Sequence, residues 1–109
     1  MDDKLDIPQG TLHLLILTIL NREPLHGYGI AEKLAEHTRG IFQVNPGSLF
    51  PALYRLEQDG KLDSEWHATE NSRNAKYYRL TRSGKKQLSE EKAYWKQITL
   101  AITSVLEGA

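Results

Sequence analysis

The sequence predicts an α+β domain, mainly helical: three short helices, a β-hairpin, and one long helix at the end. Three observations carry this reading. Apolar residues recur at helical spacing in four stretches, with Gly, Pro or Asn in the gaps between them. Between the third and fourth stretches, two short runs alternate in polarity around a loop of turn-forming residues. The length, 109 residues, suits one domain with an appendage. The break falls after the hairpin, giving 1–82 as the domain and 83–109 as the appended helix.

Composition narrows the function classes. Hydrophobic residues make up 39% of the chain, enough for a modest core that a dimer interface would enlarge. There is no cysteine, which excludes a disulfide scaffold and a thiolate metal site. The longest apolar run, Leu14 to Leu17 extended to Leu20, is too short for a bilayer, and no basic segment precedes it as in a signal peptide. A cytoplasmic protein without a membrane partner is expected. Lysine and arginine number 14 and acids 14, a zero balance that at first argues against nucleic acid. The distribution matters more. Residues 71–87 hold Arg73, Lys76, Arg79, Arg82, Lys85 and Lys86 and no acid, whereas Asp2, Asp3, Asp6, Glu23, Glu32 and Glu36 lie in the first third.

In chain order, residues 1–8 are acidic and end in proline, which predicts a loose arm. Leu12, Leu15, Ile16, Ile19 and Leu20 then mark a first helix over 9–21, widened by Leu14 and Leu17 and buried on most sides. Pro24 and Gly27 break it. A second helix is predicted over 28–38, facing inward with Ile30, Leu34 and Ala31, and Gly40 ends it. Ile41 to Val44 form a short apolar link into the third helix. Two helices on a short connector, the second with a polar outer face, make a helix-turn-helix.

The third helix carries the strongest local signals. Asn45 is a good N-cap, Pro46 stands where a helix best tolerates proline, and Gly60 supplies the left-handed stop. Leu49, Ala52, Leu53 and Leu56 share one side; Gly47, Ser48, Pro51, Tyr54, Arg55 and Gln58 share the other. Such a face fits a DNA major groove, although taken alone it better describes an ordinary surface helix. Pro51 lacks an N–H, so two starts remain open: at Pro46, or later with Ser48 as the cap.

The segment after Gly60 favours the DNA reading. Leu62, Ser64 and Trp66 alternate in one predicted strand (62–67), Tyr78 and Leu80 in a second (76–81), and 68–75 is a polar loop. This places a hairpin with a basic tip directly behind the third helix, the order of a winged helix-turn-helix. Arg73 and Asn74 would sit at the tip, flanked by Lys76, suited to phosphate or minor-groove contact. The last helix, about 83–106, spans ~35 Å at ~1.5 Å per residue. Leu88, Trp95 and Ile102 fall seven apart on it, as do Ile98 and Val105, with Glu91 in the preceding slot. That seam resembles a coiled coil and predicts a dimerisation helix, since a complete domain before it leaves little else to cover.

With these elements in place, the sequence resembles the PadR family of bacterial transcriptional regulators. The matching residues are Leu25-His26-Gly27-Tyr28, Asn45-Pro46-Gly47-Ser48-Leu49-Phe50-Pro51-Ala52-Leu53, Arg55-Leu56-Glu57, Gly60 and Lys76-Tyr77-Tyr78-Arg79-Leu80-Thr81. The length and the single terminal helix look like the short subfamily. Phe50 departs from the tyrosine common there, so it is not counted as a DNA contact. The resemblance implies a homodimeric winged-helix repressor on double-stranded DNA, often released by a small aromatic effector. On this basis DNA contact is expected from Asn45, Ser48, Tyr54, Arg55, Arg73, Asn74 and Lys76. The dimer interface is expected from Leu88, Trp95, Ile98, Ile102 and Val105, with a roughly palindromic operator. Trp95 has two readings: packing at the interface, or the wall of a cleft across the two-fold axis where a flat ligand stacks. No cofactor is expected.

Two other classes compete for the same residues. A winged-helix module could bind acidic protein through its basic wing instead of DNA. An enzyme or metal protein would need His13, His26, His37 and His67, but no pair has metal-ligand spacing on one helix face. His13 reads as a half-exposed helix residue, and His26, in the turn between helices, as a cap or core hydrogen-bonding group.

Overall fold

The computed structural model describes residues 5–8 and 10–108. Four helices and three strands run in the order α1 (Leu12–Leu20), β1 (Leu25–His26), α2 (Gly27–His37), α3 (Pro46–Gln58), β2 (Leu62–Ala68), β3 (Asn74–Leu80) and α4 (Arg82–Glu107). The strands form one antiparallel sheet in the order β1-β3-β2. Helices α1, α2 and α3 close around Ile16, Leu17, Leu20, Ile30, Leu34, Leu49, Leu53 and Leu56, to which the sheet adds Leu62 and Tyr78. The helix residues are the apolar positions that the helical spacing picks out, and Leu62 and Tyr78 belong to the runs that alternate as strands.

Several elements differ from expectation. The described part of the N-terminal arm is tethered: Leu5 donates its N–H to the Ile41 carbonyl at 2.8 Å and bridges to Phe42, and Ile7 packs on the core. The rest of the predicted loose arm, residues 1–4, and the predicted helix start at Gln9 lie outside the described residues. Helix α1 begins at Leu12, after Thr11 has turned back on the Pro8 carbonyl through both its N–H (3.1 Å) and its hydroxyl (2.6 Å). Leu25 and His26, read as part of a helix break, form a short strand opposite Tyr78 and Tyr77.

The two candidate starts of α3 are resolved in favour of Pro46. The Asn45 side-chain oxygen accepts the Ser48 N–H at 2.9 Å, and Pro51 lies inside the helix. At the other end, Gly60 at φ +73° lets the Lys61 N–H reach the Leu56 carbonyl (2.9 Å) and its own N–H reach the Glu57 carbonyl (3.0 Å). This reversed turn sends the chain directly into β2.

The strands of the hairpin extend seven residues each. The connecting loop is therefore 69–73 rather than 68–75, closed by Thr69 N–H to the Arg73 carbonyl at 2.7 Å. Helix α4 starts at Arg82 behind a Thr81 cap, and its early turns belong to the core: Gly84 and Leu88 are buried. Leu88, expected at the intersubunit seam, is 4% exposed and packs inside its own chain. One helix thus does two jobs, closing the core with its first two turns and projecting with the rest.

Candidate nucleic-acid interface

Helix α3 divides cleanly by face. Leu49, Ala52, Leu53 and Leu56 are buried, while Asn45, Pro46, Gly47, Ser48, Pro51, Tyr54, Arg55 and Gln58 are exposed. The inner leucines hold the helix down, so the outer groups are presented by a rigid element. Its first turn contains no acid, which leaves the partial positive charge of the helix N-terminus uncompensated and favourable to a phosphate.

Phe50 is placed differently from both faces. It is half-buried and meets the Tyr28 ring edge-on, with centroids 5.8 Å apart. Its ring lies over Gly27, where a Cβ would come within 2.5 Å of it. Glycine is needed there for space rather than for backbone freedom. Phe50 thus joins α3 to the start of α2, and the missing hydroxyl is no loss to packing. Tyr28 itself is 68% exposed. In the sequence it is the aromatic that follows a His-Gly cap and closes the Leu25-His26-Gly27-Tyr28 run, and neither signal reveals its place beside the wing.

His26 caps α2, its Nδ1 accepting the Gly29 N–H at 3.0 Å. It also meets the Tyr77 ring edge-on at 5.2 Å, and His67 stacks on that ring at 3.8 Å. Two histidines are thereby engaged in capping and packing. Among the described residues, no group of three or more His, Cys, Asp or Glu side chains could hold a metal ion.

The hairpin stands alongside α3. Between it and the starts of α2 and α3 runs an open groove of about 530 Å³, lined by Tyr28, Phe50, Trp66, Arg73, Lys76 and Tyr78 among others. Arg73 and Asn74 are exposed at the tip, as expected. Lys76 is not free: its Nζ lies 2.8 Å from Glu57 Oε1 at the end of α3. Ser64 donates its hydroxyl to the other carboxylate oxygen. These bonds, the one from Lys76 foremost, hold the Glu57 carboxyl below its ordinary range, and the same contact holds the Lys76 ammonium above its own. Lys76 was expected beside the wing tip as a DNA contact. It is drawn inward because its strand position, opposite Trp66, faces the helix.

The remaining expected residues lie on α4. Trp95 is 42% exposed, Ile102 and Val105 are exposed, and Ile98 is half-buried. Tyr94, Leu100 and Leu106 are also exposed and enlarge the apolar surface well beyond the seven-residue seam.

Three helices, a wing beside the third, and a helix extended from the end define a winged helix-turn-helix of the kind built into transcriptional regulators. The chain belongs to the PadR-like family of transcriptional regulators, whose family model matches residues 16–90. These are regulators and not enzymes. The chain is 32% identical to the transcriptional regulator Rv3488 of Mycobacterium tuberculosis over 87 residues, covering 80% of this chain and 78% of that one. Among solved structures, it resembles a PadR family transcriptional regulator from Eggerthella lenta at 37% identity and a TM-score of 0.79, covering 93% of this chain and 86% of the other. A PadR-like regulator from Bacillus cereus superposes at 30% identity and a TM-score of 0.80, covering 93% and 96%.

Proposed function

We propose that the protein is a homodimeric, cytoplasmic repressor that binds a roughly palindromic operator and is released by a small aromatic effector. The observation that carries this is the pairing of an exposed polar face on α3 with an exposed basic tip, Arg73 and Asn74, on the neighbouring wing. In this reading α3 enters the major groove. Asn45 and Ser48 lie at its first turn, and Tyr54 and Arg55 come further along the groove. The wing tip holds the adjacent backbone or minor groove. The exposed apolar face of α4 pairs with its two-fold mate through Trp95, Ile98, Ile102 and Val105, and Trp95 lines the effector cleft.

Sequencing the duplex DNA retained by the purified protein tests the reading, together with affinity against salt for the recovered site. One preferred palindromic site, with affinity falling steeply as salt rises, is expected. Binding without site preference would leave a protein-interaction module as the better account. The effector site has its own test. In a Trp66→Phe background, planar aromatic compounds should quench Trp95 fluorescence and weaken operator binding in parallel, because release requires a ligand that favours one dimer geometry. A response that survives Trp95→Ala places the ligand elsewhere.

A further inference from the structure

Glu57 is an unusual residue to find where it is. It lies in the last turn of α3, next to the final helical residue Gln58. There a carboxylate faces the negative end of the helix dipole, an arrangement that is locally unfavourable. What offsets this comes from the hairpin: the Lys76 ammonium at 2.8 Å and the Ser64 hydroxyl. The Glu57 and Lys76 side chains are 27% and 33% exposed, so the pair is shielded from water more than a usual surface pair. The Lys76 ammonium also lies 5.6 Å from the centroid of the Tyr78 ring, and that tyrosine is in the core. Among the described residues, no other helix side chain hydrogen-bonds to β2, β3 or the loop between them.

The position along the hairpin matters as much as the bonds. The base of the wing is fixed by Leu62 and Tyr78, both buried. Lys76, in register with Trp66, lies one residue beyond the His26–Tyr77 pair and two beyond Tyr78, or about 7 Å out along the strand from that base. A tie at that height constrains the tilt of everything beyond it, including Arg73 and Asn74. A hairpin held only at its base would leave the tip free to swing.

We infer that Glu57, Ser64 and Lys76 form a clamp that sets the angle of the wing against α3, and that Lys76 is a positioning residue rather than a phosphate contact. The inference rests on the reading of α3 and the wing as the DNA-contacting elements. It separates from simple electrostatics by sign. Glu57→Gln removes a negative charge near the proposed DNA face and, by charge alone, would tighten binding. Loss of a clamp loosens it.

The experiment uses full-length protein and the recovered operator. Affinity and its salt slope are measured for wild type, Glu57→Gln, Lys76→Met, the double variant and Arg73→Ala. The clamp predicts that Glu57→Gln and Lys76→Met each weaken operator binding by about threefold to tenfold, and that the double variant is no weaker than either. The salt slope stays at the wild-type value in all three, whereas Arg73→Ala lowers it by about one. A Lys76→Met slope lower by one, with Glu57→Gln binding as tightly as wild type or tighter, overturns the proposal and makes Lys76 a phosphate ligand. Amide hydrogen exchange without DNA supplies a second readout. Glu57→Gln should speed exchange in the outer halves of β2 and β3 and leave α1 and α2 unchanged. Unchanged exchange in the wing also overturns the clamp. If wild type binds no operator, the DNA reading fails while the exchange experiment still decides whether the clamp exists.

Discussion

The Glu57–Lys76 pair has a consequence in solution that needs no DNA. Lys76 and Ser64 hold the Glu57 carboxyl below its ordinary value, so the folded state binds that proton less readily than the unfolded chain does. The stabilisation is present at neutral pH and is lost as pH falls below 4.5, a glutamate's ordinary value, and through the folded value. Lys76, raised above its ordinary value by the same contact, contributes in full below 10.5 and loses it as pH climbs through its folded value. Urea unfolding from pH 7 downward should therefore show a steeper acid loss in wild type than in Glu57→Gln. Parallel curves would mean that the pair adds nothing to stability. None of this is legible from the sequence. Lys76 belongs to an acid-free run that reads as a phosphate-binding stripe, and its partner lies 19 residues away on another element. Strand register decides which side chain turns inward, and register is a tertiary property.

At the scale of elements, the sequence is most informative where one residue type has one physical job. Asn45 caps, Gly60 reverses, and the leucines of α3 repeat at helical spacing, so that helix is readable apart from its start. The strand β1 is not. Two residues between a proline and a glycine carry no alternation to detect, and Leu25 and His26 are extended because β3 offers them a partner more than fifty positions later. The division of α3 into faces leads to contrasting substitutions. Leu53→Ala, at a fully buried position, should cost ~2–5 kcal/mol in denaturant unfolding. Tyr54→Ala, one residue on and 65% exposed, should leave stability within ~0.5 kcal/mol while changing the preference among operators. A large stability loss at Tyr54 would mean that the outer face is covered by something within the protein.

For the whole molecule, the division of α4 determines how a truncation must be made. Removing everything after Gly84 takes Leu88 out of the core and would unfold the domain, a result that says nothing about assembly. Stopping after Lys92 keeps Leu88 and the Gln87–Glu91 contact at 2.6 Å while deleting Trp95 and the rest of the helix. The shortened chain should sediment as a folded monomer with much weaker affinity for a palindromic site, because two α3 helices about 34 Å apart are no longer tied together. A dimer after this cut would move the interface to another surface. The seven-residue spacing of apolar residues on α4 is readable in the sequence, but not where it changes use. Leu88 and Trp95 are equivalent on a helical wheel, and only Leu88 meets the rest of the core.

The start of α4 is built with no slack. Thr81 donates its hydroxyl to the Gly60 carbonyl (2.7 Å) and accepts the Gly84 N–H (3.0 Å). Gly84 sits so close to the Lys61 carbonyl that a methyl group would collide with it. If the two copies join through the far end of the helix, this glycine works as the pivot of a pair of callipers. The helix runs ~35 Å beyond it, so a tilt of about 5° at the pivot displaces the far end by about 3 Å. Gly84→Ala must push the helix away from the Lys61 backbone, so it should lower stability and, in the chain that folds, change the gap between the jaws. Selection from libraries of half-sites at varied spacing would detect this as a new preferred spacing for the variant, with the half-site sequence unchanged.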